Sequence, residues 1–438
     1  MATVPAKKVF KIVSKKAPVT AAAAAVLPTI DPVVKPKSSA DLTFIDLFCG
    51  IGGFHQALHQ MGAKCILACD IDKDCRKVYQ DNYGIEPVDN VKTIDPTTLP
   101  DFDILCGGFP CQAFSNGGKK KCFDDERGLL FDEIIRIAKV RKPRFMFLEN
   151  VKHILKVSNG EVIAYIKHKI AETGYKLQIF QISPHNYGIP QQRERVYFVC
   201  VRNDIAIESS AIELPPMTKC VGATFQKFLD KKASIPPKYF IKDDILNVLE
   251  AWDLIVKQME IGQKMSPTIM IHDAFTPYSQ SELDAFPEWK SDYITKNRPI
   301  IEKYRDIFVA WYETHKELLK KREIYGKLEW QTGPIQTNDS IFNHFIQIRQ
   351  SGIRVKKGQY FPTLVAISQI PIYGKEKRYI TPRECARLQS FPESFKLAED
   401  DKKSYKQLGN SVNVDNVYTV ISSTLKHYEF QLPVRNTA

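Results

Sequence analysis

The sequence predicts an α/β fold: a twisted, mainly parallel sheet flanked by helices, with a second, smaller domain set into the chain. Three observations predict it. From residue 43, short apolar runs suited to buried strands alternate with amphipathic helical stretches. That alternation stops near residue 205 and a clean helical pattern returns only in the final "KSYKQLGNSVNVDNVYTVISSTLKHYEF". A chain of 438 residues also exceeds one ordinary core.

Taken in order, residues 1–41 come first as a basic arm. The first forty residues hold seven lysines and one acid, with prolines at 5, 18, 28, 32 and 36, a composition that predicts a flexible leader. Its "AAAAAV" falls far short of the roughly 18 apolar residues of a membrane span. Residues 42–223 make the first domain: "TFIDLF" as a strand, a glycine turn, "FHQALHQM" as a helix, "KCILACD" as a strand and a helix through "KDCRKVYQDNY". "DFDILCGG" follows as a buried strand, "RGLLFDEIIRIAKV" as a helix, "RFMFLEN" as a strand and "GEVIAYIKHKIAET" as a helix. In that last helix Val162, Ile163, Ile166 and Ile170 fall at helical spacing and predict core packing. "KLQIFQIS" and "RVYFVCV" close the domain as a hairpin-like pair. Residues 224–381 form the second domain, with helical stretches at 241–260 and 299–322 and a basic loop and strand in "RQSGIRVKKGQYFPTLVAI". Residues 382–438 return to complete the first.

The balance of 62 basic against 50 acidic residues suits a protein that meets a polyanion, though a merely basic enzyme would share it. Ten cysteines without a CxxC pair argue against a zinc module or a disulfide framework, so no metal is expected and most thiols should be small core residues in a reducing compartment.

An open sheet of this kind carries its chemistry on the loops at the carboxyl ends of its strands. In "DLFCGIGGF", Gly50, Gly52 and Gly53 follow a strand and open a helix, where backbone can approach a ligand at a positive helix end. Asp70 ends the next strand, the place of a ribose-binding carboxylate. This pair fits a nicotinamide cofactor or an adenosyl methyl donor equally, and also a structural turn without a ligand. Cys111 lies just past the strand "DILC", where a thiol would meet a substrate, with Pro110 stiffening its approach. Glu149 ends the neighbouring strand, and Arg193 and Arg195 in "QQRERV" offer forked donors, or an ordinary ion-pair cluster.

With these residues in place, the chain resembles the DNA cytosine-5 methyltransferases of the prokaryotic or viral modification type. "FIDLFCGIGGF", "GGFPCQAFS", "ENV", "QQRERV", "RECARLQSFP" and "QLGNSV" occur in that family's order, over residues 42–223 and 376–425. The resemblance implies a Rossmann-like S-adenosylmethionine-dependent methyltransferase fold with a smaller target-recognition domain. It implies Cys111 as the thiolate that adds to cytosine C6, Glu149 as a protonated donor at the N3 and N4 edge, Arg195 on the O2 side and Arg193 in support. For S-adenosylmethionine it implies Phe48 against the adenine, Gly50, Gly52 and Gly53 near the methionine part, Asp70 on the ribose, and Asp89 near the adenine amino group. Gly108 and Pro110 would line the path to the methyl, with Asn410, Ser411 and Val412 closing the site. Where the family often has Glu and a bulky aromatic, this chain has Asp70 and Ile71, which weakens the expected stacking on the adenine.

The target cytosine must be flipped out of double-stranded DNA. Gln112, Ser115, Lys119, Lys120, Lys121 and Arg127 are placed for contacts to the DNA, and Arg349 and Arg354 for base edges. Two other readings compete. A tRNA methyltransferase of the same family usually carries a Cys-Phe-Thr signature, absent here, and a non-catalytic DNA-binding relative tends to lose the Pro-Cys pair or the Glu, both kept. A dehydrogenase leaves Cys111 and Glu149 unexplained. The remaining expectations are a monomer in the cytoplasm beside the nucleoid, without membrane association, with a cognate restriction endonuclease acting separately.

Overall fold

The computed structural model describes residues 38–110, 129–207, 211–218, 224–366 and 369–435. Among these, a first sheet of six strands has the order β2-β1-β3-β4-β6-β5. β1 (Thr43–Leu47), β2 (Lys64–Cys69), β3 (Ile104–Gly108) and β4 (Phe145–Val151) run parallel, whereas β6 (Arg195–Arg202) is antiparallel to both β4 and β5 (Tyr175–Ile182). β1 lies between β2 and β3, so its run is apolar on both faces, as a covered parallel strand requires. Asp46 interrupts that run; burial pushes its carboxyl up to about 8, and its Oδ2 finds no partner among the described residues.

The helices of this half begin and end where local chemistry directs. α1 (Gly53–His59) starts from Gly52 in the left-handed region. α2 (Lys73–Tyr83) is capped by Asp72, whose side chain accepts from the amides of Asp74 and Cys75, and stops at the left-handed Gly84. α3 (Leu129–Arg141) and α4 (Glu161–Glu172) follow, the latter burying Val162, Ile166 and Ile170 as its spacing predicts. Cys49, Cys69, Cys75, Cys106, Cys200 and Cys385 are buried free thiols.

The second region, where the sequence predicts one strand among helices, holds a full sheet. Its order is β12-β11-β9-β10-β8-β7, from β7 (Ile269–Met270), β8 (Lys327–Gln331), β9 (Phe345–Arg349), β10 (Gly352–Lys356), β11 (Ile372–Tyr373) and β12 (Arg378–Tyr379). α5 (Asp243–Gln258), α6 (Glu288–Lys303) and α7 (Arg305–Lys320) accompany it. The helix expected over 299–322 is two: the break falls at Tyr304, and Pro299 lies inside α6. Trp252 and Trp311 pack 4.7 Å apart at the centre, each donating its indole N–H to a backbone carbonyl at 2.7 Å, which removes the penalty for burying it.

The two sheets share a core through Phe225, Phe345, Phe361 and Tyr373. Backbone bonds stitch Phe361 to Pro190 and Gln192 at 2.7 and 3.1 Å. A fully buried Arg378–Glu384 pair, doubly bonded at 2.9 Å, leads into α8 (Pro382–Leu388); α9 (Asp401–Asn410) and α10 (Val414–His427) complete the return, with α10 against α1. No helix among the described residues is long and apolar enough to cross a membrane.

Candidate active site

A cavity of about 640 Å³ opens at the carboxyl ends of β1, β2, β3 and β4. Its first wall is the glycine turn. Phe48 takes a left-handed φ of 54°, a strained conformation for an aromatic residue, and carries its ring to the cavity. Gly50 donates its N–H to Asp70 Oδ2 at 2.7 Å, and Asp72 donates to Asp70 Oδ1 at 2.8 Å. Asp70 thus ties the turn to the end of β2, and burial raises its carboxyl pKa against these two hydrogen bonds. Ile71 beside it is 83% exposed, while Asp89 and Asn90 line the same wall. Gly52 faces Tyr83 instead of the cavity: a Cβ there would meet the ring at 2.3 Å.

The second wall is the return segment. A Cβ on Gly53 would lie 2.5 Å from Val412 Cγ2, so this glycine is what lets the chain end close on the start of α1. Arg193 fixes the closure. Its buried guanidinium donates to the carbonyls of Leu364 at 2.6 Å, Gly409 at 2.9 Å and Ser411 at 2.7 Å. Gln389 adds a donor to Leu408 at 2.7 Å, and Asn413 one to Leu388 at 3.0 Å. Asn410, Ser411 and Val412 line the cavity as a result.

At the inner end, Glu149 on β4 is 8% exposed and accepts from Arg195 Nε at 2.9 Å. Burial raises the Glu149 pKa, and the two arginines pull the other way; burial prevails. A Cβ on Gly108 would stand 3.4 Å from Glu149 Oε2, so the glycine keeps the space before the carboxyl open. Pro110 lines the cavity too. Asn150, a residue without a predicted role, donates from Nδ2 to the carbonyl of Phe109 at 3.0 Å and holds the backbone leading to Pro110. Its position next to Glu149 in "ENV" was the available signal.

Cys111, Gln112, Ser115, Lys119, Lys120, Lys121 and Arg127 lie outside the described residues. Arg349 and Arg354 sit on the second sheet, away from the cavity lining, with Arg349 Nε on Gln369 Oε1 at 2.9 Å and Arg354 Nε on Glu329 Oε2 at 2.6 Å.

Residues 42–426 match the model of the C-5 cytosine-specific DNA methylase family. The chain is 30% identical over 389 residues to the Type II methyltransferase M.HhaI of Haemophilus parahaemolyticus, covering 87% of this chain and 94% of that one. It is 29% identical over 395 residues to M.HpaII of Haemophilus parainfluenzae, covering 88% and 89%. In fold it is similar to the Entamoeba histolytica methyltransferase EhMeth, with a TM-score of 0.53 at 17% identity over 88% of this chain and 98% of that one.

Proposed function

The chain belongs to the C-5 cytosine-specific DNA methylase family, and from that premise we propose how its residues divide the work. The enzyme methylates C5 of cytosine in DNA with S-adenosylmethionine as donor. When bound, the donor supplies an electrophilic methyl on a cationic sulfonium. The residues present fit it: the cavity joins the acids Asp70 and Asp89 to the apolar Phe48, Ile71 and Val412, and Gly108 leaves unfilled room beside Glu149. Asp70 would receive the ribose hydroxyls with its remaining lone pairs, Phe48 and Ile71 would flank the adenine, and Asp89 would take the adenine amino group. Replacing Ile71 by Trp is expected to tighten donor binding roughly threefold to tenfold by restoring a stacking face. Calorimetric titration checks this; unchanged or weaker binding would count against the adenine's place.

The Cys111 thiolate adds to C6 of a cytosine flipped from the duplex, which makes C5 nucleophilic. Protonated Glu149 hydrogen-bonds N3 and stabilises the charge pushed into the ring, with Arg195 on the O2 side. Arg193 acts as a positioning residue, holding Ser411 and the return segment in place. Once C5 carries the methyl, loss of its proton expels the thiolate and restores the ring. The buried Glu149–Arg195 pair at the cavity's inner end is the observation that carries this reading.

Residues 224–381 form the target-recognition region in this reading, supported by their own six-stranded sheet. Exchanging them for the corresponding region of a relative is expected to change which cytosine is methylated, as bisulfite sequencing of DNA from expressing cells would report. Unchanged specificity would defeat the assignment. A cognate endonuclease acting separately on the same sequence is the companion that the relatives' Type II names suggest.

A further inference from the structure

A groove of about 260 Å³ lies beside the active site, between the segment that opens β6 and the open ends of β8 and β10. Gln192 lines it on one side, one residue from Arg193; Gln331, Lys356 and Tyr360 line the other. β8 and β10 run parallel with Glu329 opposite Arg354 and Gln331 opposite Lys356. The alternate residues Leu328, Trp330, Ile353 and Val355 face the core, so these four polar residues share the outer face.

Glu329 decides what each of them has left to offer. Its Oε2 accepts from Arg354 Nε at 2.6 Å, and its Oε1 accepts from the Gln331 side-chain amide. Arg354 Nε is therefore engaged within the sheet. Gln331 turns its N–H₂ to Glu329, and no donor among the described residues engages its carbonyl oxygen. Lys356 is half-buried and, among the described residues, forms no ion pair with a carboxylate. Burial, and then the nearby Arg354 guanidinium, lower its pKa; the Glu329 carboxylate pulls the other way, and the lowering prevails.

We propose that Lys356 and Gln331 together read a G·C pair flanking the target cytosine. The Lys356 ammonium donates to guanine O6 and N7 while the Gln331 carbonyl accepts from cytosine N4. The major-groove edge of a G·C pair sets these acceptors beside that donor, and a cation in register with an unengaged carbonyl is complementary to it. Arg354 is a positioning residue in this scheme, since it holds the Glu329 that orients Gln331. The inference rests on the reading of residues 224–381 as the target-recognition region.

The test is methylation of a duplex library randomised around the target, read by bisulfite sequencing. The wild-type enzyme is expected to prefer one flanking G·C pair. Lys356→Ala and Gln331→Ala are each expected to cut that preference by roughly 10- to 100-fold at the same position and nowhere else. Lys356→Arg, which keeps a donor, is expected to retain it. A loss spread evenly over all sequences with a shallower salt dependence would identify a phosphate contact and overturn the proposal, as would an unchanged preference. A wild-type enzyme indifferent to every flanking pair would overturn the recognition-region reading itself.

Discussion

Replacing Cys111 by Ser is expected to lower methyl transfer by roughly 10⁴-fold while leaving donor binding unchanged. A hydroxyl at neutral pH is a far weaker nucleophile than a thiolate, and without addition at C6 the C5 position stays unreactive toward a methyl group. The same variant supplies a second readout. Duplex DNA containing 5-fluorocytosine at the target has no C5 proton to lose, so the elimination that frees the enzyme cannot occur. The wild-type protein is expected to be trapped in a complex that survives denaturation, and the Ser variant is not. Equal trapping of both, or a Ser variant that methylates at the wild-type rate, would end the covalent reading.

Replacing Glu149 by Gln is expected to cost about 10²- to 10⁴-fold in kcat and to remove one limb of the pH profile. Gln is the informative substitution because it still offers Arg195 an acceptor, whereas Ala would leave a guanidinium that is 13% exposed without its partner. The sign follows from burial. Burial raises the Glu149 pKa, so the carboxyl keeps its proton to a higher pH than a free one, and the donor form is depleted as pH climbs through that raised value. Wild-type activity should therefore fall along this limb, and the Gln variant, with nothing to titrate, should not follow it. A wild-type rate that rises over the same range would mean that the carboxylate is the working form.

Much of the first sheet is legible along the chain because its signals are local. Asp72 and Gly84 bound the helix Lys73–Tyr83 within the very stretch "KDCRKVYQDNY", and the core spacing of Val162, Ile166 and Ile170 needs no knowledge of what they pack on. The second sheet is not legible in this way. β7, β11 and β12 are two residues long, too short for any periodicity, and exist only because a partner strand is supplied from elsewhere. Arg354 illustrates the same limit at the level of a side chain. In sequence it is a free basic residue available for a base edge; in the fold, Glu329 on the adjacent parallel strand accepts from its Nε, while Lys356 on the same strand forms no ion pair among the described residues. Arg193 likewise gains its role from carbonyls at 364, 409 and 411.

By itself the sequence determined the order of the strands and helices of the first sheet, the glycine turn after β1 and which reactive groups end its strands, since each follows from residue type and short-range spacing. Only the tertiary structure decided which charges are spent inside the protein and which remain open to a ligand. Burial and pairing arise between residues far apart in the chain, and no local pattern records them.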